Sequence, residues 1–211
     1  MSKPRFRRRK EDRPDEIAEA AFVEFSAKGF DGARVDDVAR RAGVSKGLLY
    51  LYFRTKEELF KAVIRRFIVP RVQELEDGIR DTTLSGEEFL RGPFLSFAKQ
   101  VPKSPARVLI RLIISEGPKY PDLVKFYWEH VVSHGIAAIR QLIARGIKSG
   151  EFRQSALEEF PQLLISPVLI SVVWCNLFDK HHKLDTDRFI ESHLDIILTS
   201  ILAKPRDKAS L

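Results

Sequence analysis

The part of the chain that most constrains its fold is residues 34–60, RVDDVARRAGVSKGLLYLYFRTKEELF. Apolar residues recur at its start with the i, i+3, i+4, i+7 spacing of one buried helical face, namely at Val35, Val38, Ala39 and Ala42. Gly43 follows and can take the left-handed conformation that ends a helix. Ser45 then offers a hydroxyl that can cap the first turn of a new helix. The run therefore predicts two short helices joined by a tight turn.

A third helix is predicted directly after these two. Thr55 and Glu58 have the spacing of a capping box, in which each side chain bonds to the backbone N–H of the other. In the second helix, Leu49 and Phe53 are i, i+4 partners that can face a core. The residues left for another surface are Lys46, Gly47, Tyr50 and Tyr52. This is the layout of a helix-turn-helix, whose second helix enters the major groove of DNA.

The same stretch resembles the helix-turn-helix of the TetR family of bacterial transcriptional regulators. We write the family pattern as G-[FY]-x-x-x-[ST]-V-x-x-[IV]-A-x-x-A-G-V-S-x-G-x-L-Y-x-[YH]-F-x-x-K-E-x-L. The residues that match it are Gly29, Phe30, Val35, Val38, Ala39, Ala42, Gly43, Val44, Ser45, Gly47, Leu49, Tyr50, Tyr52, Phe53, Lys56, Glu57 and Leu59. This resemblance covers roughly residues 14–65, and the rest of the chain matches in length and helical character.

The start of the first motif helix departs from the family pattern. Members usually carry Ser or Thr before the motif valine, where the side chain caps the helix and touches phosphate. This chain has Ala33 and Arg34 there. Two interpretations stay open: Asp36 caps the helix instead, or Arg34 holds the phosphate by its charge.

Positive charge is concentrated at the amino terminus. The chain has a formal net charge of +7, and its first ten residues, MSKPRFRRRK, hold six Lys or Arg and no acidic residue. Such a cluster can displace counterions from DNA phosphates, and arginines such as Arg7 and Arg8 can enter the minor groove beside a major-groove helix. The alternative is a solvated tail with no role. A targeting peptide is not indicated, because no apolar segment follows the charges.

We assign the predicted DNA contacts by role. Lys46 reads base edges, and Gly47 allows close approach of the helix. The residues assigned to phosphates are those of the basic arm, Arg34, Tyr50, Tyr52 and Lys56. The complete predicted set is Arg7, Arg8, Arg34, Ser45, Lys46, Gly47, Leu48, Tyr50, Tyr52 and Lys56.

Beyond residue 65 the sequence predicts a second, larger helical domain, so the expected fold class is all-α. The expected segments are a basic arm at 1–13, the helix-turn-helix domain at 14–65, a helical effector-binding and dimerisation domain at 66–204, and a tail at 205–211. A helix over 55–81, weakest at Pro70, would serve both domains. The family resemblance implies about nine helices, three in the first domain and six in the second.

The most apolar stretch, residues 163–178, predicts a core or intersubunit helix rather than a membrane span. It is shorter than the roughly eighteen residues that a span requires, and it contains Pro167. Cys175 is the lone cysteine, which excludes an internal disulfide and fits a reducing, cytoplasmic location.

The last two helices, expected at about 156–179 and 187–203, carry more large apolar residues than two surface helices need. A two-fold four-helix bundle would bury the surplus, and TetR-like proteins pair in that way. The predicted interface residues are Leu164, Val168, Val172, Phe189, Ile196 and Ile197. The alternative is that the surplus fills the core of the domain itself.

The second domain also offers candidates for an apolar effector pocket. They are Phe94, Phe97, Ile110, Ile113, Tyr127, Trp128 and Trp174, of which the tyrosine and tryptophans would supply polar tips. Packing in the core is the alternative for each residue. The family resemblance implies a small, often hydrophobic effector. A ligand that prefers mis-spaced recognition helices would release the DNA operator by population shift.

No catalytic or cofactor-binding pattern is indicated. His130 and His134 have a zinc-compatible spacing, but the order lacks the glutamate inside the pair that a metalloprotease site needs. We therefore expect a homodimeric, ligand-responsive repressor of a near-palindromic operator, with no cofactor and no enzymatic activity. The competing hypotheses are a DNA-binding protein without a small-molecule effector and a helical enzyme that carries a helix-turn-helix-like fragment.

Overall fold

The computed structural model describes residues 13–203, and the regular elements in that range are helices. They are α1 (Arg13–Gly32), α2 (Val35–Arg41), α3 (Lys46–Tyr52), α4 (Lys56–Phe67), α5 (Val69–Asp81), α6 (Gly86–Phe89), α7 (Leu95–Gln100), α8 (Pro105–Glu116), α9 (Pro121–Tyr127), α10 (Ser133–Ser149), α11 (Gln162–Leu177) and α12 (Thr186–Ile201). Short π-helical turns join α6 to α7 and α9 to α10. The predicted all-α fold class is confirmed.

Two helix boundaries differ from the sequence prediction. The helix expected over 55–81 divides at Ile68 into α4 and α5, and Pro70 lies in the first turn of α5, where a helix needs no N–H from it. The helix expected from about residue 156 begins at Gln162, because the residue before Pro161 is disfavoured in a helical conformation. With α4–α5, α6–α7 and α9–α10 taken as continuous runs, the described residues form about nine helices.

The described residues form two compact units. The first unit combines residues 13–71 with 108–130, and the second combines 72–107 with 131–203. The division passes through α8, so a segment from the middle of the chain belongs to the amino-terminal unit. No signal in the sequence indicated that residues 108–130 would pack with the helix-turn-helix.

The first unit has an aromatic core between α1 and α4. The rings of Phe25, Phe30 and Phe60 are almost fully buried, and their centroids lie 5.6, 5.2 and 5.3 Å apart in the three pairs. Such ring pairs stabilise a core beyond the area that they bury. This cluster fixes α4, the third helix of the motif, against α1. The short helices α2 and α3 lie between these two in the chain.

Residues 108–130 are attached to this unit by polar and aromatic contacts. Tyr120 places its ring edge-to-face against Phe30, with the centroids 4.5 Å apart, and its hydroxyl donates to the Asp31 carboxylate. Lys119 forms an ion pair of 2.9 Å with the same carboxylate. Further along the segment, the ring of Phe126 lies 4.6 Å from the guanidinium of Arg65 on α4. The segment therefore contacts both α1 and α4.

The second unit has its own core, built from α5 to α7 and α10 to α12. Its buried residues are Leu75, Ile79, Phe89, Leu90, Phe94, Ala98, Ala138, Ile139, Leu142, Ile143, Phe152, Leu157, Leu164, Val168, Ile190, Leu194, Leu198 and Ile201. Gly150 ends α10 with a positive φ of 78°, and this turn returns Phe152 to the core. Within residues 13–203, no helix is both long and apolar enough to cross a membrane.

Candidate DNA-binding site

The turn between α2 and α3 has the geometry that the sequence predicted. Gly43 has a φ of 64°, and its N–H donates to the carbonyl of Arg40 over 3.2 Å. The N–H of Val44 donates to the carbonyl of Ala39 over 3.0 Å. These two bonds satisfy carbonyls at the end of α2 and allow the chain to reverse within a few residues.

Both following helices are capped by hydroxyls. The Ser45 side chain accepts from the N–H of Leu48 over 3.1 Å, and the Thr55 side chain accepts from the N–H of Glu58 over 3.1 Å. The predicted capping box at Thr55 is only half correct. The Glu58 carboxylate accepts from the N–H of Arg54, over 2.7 Å, rather than from that of Thr55. The two caps set where α3 and α4 begin.

The outer face of α3 is free of covering side chains among the described residues. Leu49 and Phe53 are buried toward the core, as predicted, while Lys46, Gly47 and Tyr50 are exposed. A Cβ atom placed on Gly47 would meet no atom within 4 Å. Ser45 is also exposed, and Leu48 and Tyr52 are half-buried. The site therefore presents a short polar surface that an extended partner can approach.

Leu51 belongs to the same face and was missed from the sequence. Its side chain is 76% exposed, the largest exposed fraction among the exposed large apolar side chains of the described residues. An apolar group on a helix that enters the major groove can contact a thymine methyl. The signal was present in the sequence, because Leu51 follows Gly47 by four residues and therefore lies on its side of the helix.

The start of α2 resolves one of the two interpretations of the departure from the family pattern. Arg34 occupies the N-cap position with extended backbone, and no side chain caps the helix there. Asp36 therefore does not replace the missing hydroxyl, and that interpretation is wrong. Its carboxylate lies instead 2.8 Å from the ammonium of Lys46. Arg34 is exposed, and its contact with phosphate stays a prediction.

Lys56 has a structural role that the sequence did not predict. Its ammonium donates to the carbonyls of Asp31 and Ala33, over 3.2 and 3.4 Å, and lies 4.7 Å from the ring centroid of Phe30. It thus satisfies one carbonyl at the end of α1 and one just after it, and any phosphate contact would have to share the ammonium with them. Arg7 and Arg8 lie outside the described residues, so their predicted contacts stay predictions.

A buried ion pair network joins α1 to α2 behind this surface. Glu24 is 4% exposed, and its carboxylate lies 2.7 Å from the Lys28 ammonium and 2.8 Å from the Arg41 guanidinium. Hydrogen bonds from Lys28 and Arg41 hold the pKa of the Glu24 carboxyl below its usual range. Because Arg41 is the last residue of α2, this carboxylate fixes the end of the helix that precedes the turn.

Replacement of Glu24 should weaken this unit in a pH-dependent way. Its folded-state pKa lies below 4.5, so its contribution is full above that pH and is lost as the pH falls through the lowered folded value. We expect Glu24→Gln to lower stability at pH 7 by about 1 kcal/mol, or Tm by roughly 2–4 °C. We also expect the stability of the variant to fall less between pH 5 and pH 3.

Thermal melting at several pH values checks this expectation. Glu16→Gln is the matched control, because Glu16 pairs with Arg13 at the surface and is 48% exposed. If both variants melted alike across the pH range, the role given to Glu24 would be wrong.

Part of the predicted dimer interface is corrected by the structure. Leu164, Val168 and Val172 are buried in the second unit, so they cannot form a contact surface. Phe189 and Ile197 are half-buried, and Ile196 is 69% exposed. The error arose because α11 is apolar around almost its whole circumference, so residue spacing does not tell its core face from its outer face.

A different set of apolar residues is exposed on these helices. Leu163, Ile170 and Leu177 are spaced by seven residues and lie along one side of α11. Ile170 is 50% exposed. We call these three residues with Ile196 the apolar stripe. Contiguous exposed apolar surfaces mark sites of contact with other proteins, so the apolar stripe is a candidate contact surface.

The predicted pocket residues divide between the two units. Ile110, Ile113, Tyr127 and Trp128 belong to the first unit, and Phe94, Phe97 and Trp174 belong to the second. Phe94 is buried in the core of its unit, which corrects its assignment to a pocket wall, and Ile110 is also buried. Trp128 is 53% exposed. Burial raises the pKa of the Tyr127 phenol.

Trp174 and the two histidines have local partners. The indole N–H of Trp174 donates to the carbonyl of His182 over 2.7 Å. Nδ1 of His130 lies 3.0 Å from the carbonyl oxygen of Phe126, and Nδ1 of His134 lies 2.9 Å from a carboxylate oxygen of Glu76. These contacts account for the three side chains without a ligand.

Comparison with known proteins places both parts of the chain. Residues 17–63 match the family model described as bacterial regulatory proteins of the tetR family. Residues 90–201 match the model described as the C-terminal domain of AefR-like transcriptional repressors.

Individual proteins are similar over most of the chain. The HTH-type transcriptional repressor KstR2 of Mycolicibacterium smegmatis is 25% identical over 201 residues, which cover 93% of this chain and 94% of the relative. The uncharacterized HTH-type transcriptional regulator YhgD of Bacillus subtilis is 32% identical over 181 residues, covering 83% and 90%. The crystal structure of FadR from Bacillus subtilis in complex with stearoyl-CoA has the same fold, with a TM-score of 0.70, 18% identity, and coverage of 88% of this chain and 97% of that chain. The chain belongs to the TetR family of bacterial transcriptional regulators.

Proposed function

We propose that this protein is a homodimeric transcriptional repressor that binds a near-palindromic DNA operator in the cytoplasm and is released by a small hydrophobic effector. The observation that carries the proposal is the outer face of α3. It begins at a hydroxyl cap, presents Lys46 and Tyr50 outward, and has open space at Gly47. A helix with this surface fits the major groove, where residues of its first turn contact base edges.

Dimerisation supplies the second recognition helix, which binds the other half of the operator. The apolar stripe is the surface on which we place the second copy, because two α11–α12 pairs related by a two-fold axis would bury it. Two recognition helices held about one turn of DNA apart would then read a near-palindromic sequence. The excess positive charge of the first ten residues would add affinity that does not depend on sequence.

Control by a hydrophobic effector is supported by the relatives and by one residue. The similar FadR structure is a complex with stearoyl-CoA, a ligand with a long apolar chain. In this chain, the half-buried Tyr127 carries a phenol that can donate a hydrogen bond to a polar group of such a ligand. Within the second unit, Phe97 and the ring of Trp174 remain candidates for an apolar wall. The second candidate function is a DNA-binding protein controlled by a protein partner. The packed core of the second unit favours this alternative.

The role of Lys46 can be tested with the full chain and a random DNA pool. Bound duplexes are selected first, and the affinities of Lys46→Ala for the selected duplex and for random DNA are then compared with those of the wild type. We expect a loss of about 1–3 kcal/mol on the selected duplex and little change on random DNA. An equal loss on both would contradict a base-reading role.

Deletion of residues 3–10 is the matched comparison for the electrostatic contribution. It should weaken binding to all sequences and flatten the dependence of affinity on salt, because each lost phosphate contact lowers the slope by about 0.9. Screening compounds with a long apolar chain, acyl-CoA esters among them, for release of the selected duplex then separates the two candidate functions. Release supports effector control, whereas a protein that no compound releases would favour partner control.

A further inference from the structure

The exposed carboxylate of Asp36 lies beside the recognition helix. Its Oδ1 and Oδ2 atoms are 2.8 and 3.1 Å from the Lys46 ammonium. Both side chains point outward, with Asp36 56% and Lys46 59% exposed. The neighbouring Asp37 behaves differently, because its carboxylate is bound by Lys28 over 2.7 Å and is 21% exposed. Asp36 is thus the first-turn acid of α2 that shares the outer surface of α3.

Stability does not explain this pair. An exposed ion pair contributes little to folding, because water screens it and two flexible side chains must be ordered. A carboxylate on a surface that approaches DNA is also repelled by the phosphates. Such a group is favourable in the groove only where it accepts a hydrogen bond, and the donors there are the exocyclic amines of cytosine and adenine.

The geometry of the pair matches one kind of base pair. The major-groove edge of a G·C pair presents the acceptors N7 and O6 of guanine next to the donor N4 of cytosine. An ammonium and a carboxylate held in contact present the complementary donor and acceptor. The ring centroid of Tyr50 lies 6.0 Å from the Lys46 ammonium, which places this side chain along α3 rather than away from it.

We infer that Asp36 is a second base-reading residue, which accepts a hydrogen bond from N4 of the cytosine whose guanine partner binds Lys46. This inference rests on the proposed function, in which α3 enters the major groove. Asp36 also occupies the Lys46 ammonium when no operator is bound. That contact lowers the affinity for random DNA, because Lys46 has to leave the Asp36 carboxylate before it can bind a phosphate.

The experiment uses the full chain and four proteins: the wild type, Asp36→Asn, Lys46→Ala and Glu19→Gln. Glu19 on α1 is the matched control, because it is an exposed carboxylate of the same unit and pairs with Arg66 on α4. Each protein selects duplexes from a random pool. Each is then titrated, at several salt concentrations, with the duplex that the wild type selects, with its G·C to A·T variants, and with random DNA.

For Asp36→Asn we expect one G·C pair in each half-site to lose its preference by about tenfold, with a shift toward A·T, because an amide prefers adenine. Affinity for random DNA should rise, and its salt slope should steepen by about 0.9, because the freed lysine reaches a phosphate. The same base pair should lose its preference in Lys46→Ala. Glu19→Gln should select the same sequence as the wild type.

Two results would overturn the inference, and they differ from each other. If the wild type selects a sequence and Asp36→Asn selects the same one with an unchanged ratio, Asp36 does not read a base, while the proposed function stands. If the wild type selects no sequence at all, the proposed function and the inference fail together. Helical circular dichroism and melting of each variant verify that the exposed substitution leaves the fold intact.

Discussion

Substitution of Ile170 by aspartate is expected to convert the proposed dimer to monomers and to lower affinity for the selected operator by about a hundredfold. Ile170 is the middle residue of the apolar stripe and is 50% exposed. In a two-fold bundle it would lie near its own copy, so two carboxylates would be buried together without partners. Each monomer would still bind one half-site, but the gain from tethering two recognition helices would be lost.

Sedimentation equilibrium and duplex titration measure the two effects. Leu84→Asp is the matched control, because Leu84 is an exposed apolar residue between α5 and α6, outside the apolar stripe. The control should remain dimeric and bind the operator. If Ile170→Asp and Leu177→Asp both remained dimeric at micromolar concentration, the interface would have to lie elsewhere.

The second large effect is expected in the core of the second unit. The Phe152 ring packs directly on two glycines, and a Cβ on Gly146 would be 2.1 Å from Cδ2 of that ring. The ring is also buried in the core and packs on Gly86, where a Cβ would be 2.6 Å from Cζ, so it has little room to shift. Gly146→Ala should therefore destabilise the protein by about 2–4 kcal/mol and lower Tm by roughly 5–15 °C.

The same helix supplies the control for this substitution. A Cβ on Gly135 would meet no atom within 4 Å, so Gly135→Ala should stabilise α10 by about 0.5–1 kcal/mol through helix propensity. The double variant Gly146→Ala with Phe152→Leu should recover part of the loss, because the smaller side chain leaves room. Equal melting of the two alanine variants would show that Phe152 is not held as described.

The sequence predicted what short-range chemistry determines. Gly43 and Ser45 set the end of α2 and the start of α3, because a positive φ and a hydroxyl cap are properties of single residues. The buried face of α3 also followed from spacing, through the i, i+4 pair Leu49 and Phe53, although the exposed Leu51 was missed. On α11 the same reasoning failed, because its few polar residues do not mark one outer face, and one of them, Ser171, is buried.

Long-range contacts could not be predicted from the spacing of residues in the sequence. Lys56 matches a motif position, yet nothing near it in sequence indicates that its ammonium binds the carbonyls of Asp31 and Ala33 around the end of α1, a contact across more than twenty residues. For Asp36 the sequence suggested only a cap of its own helix, whereas its carboxylate lies beside Lys46 of the next helix. That contact depends on the geometry of the turn between α2 and α3.

The attachment of residues 108–130 to the first unit has a consequence for biosynthesis. On the ribosome, α1 to α4 emerge well before Tyr120, which covers Phe30 and binds Asp31. The newly made helices α1 to α4 therefore leave the Phe30 side of their surface open to water until the chain has been extended past Tyr120. A truncated polypeptide that stops at residue 71 would carry the whole helix-turn-helix motif but keep that face uncovered. The smallest unit that packs natively is therefore built from two separate segments of the chain, residues 13–71 and 108–130.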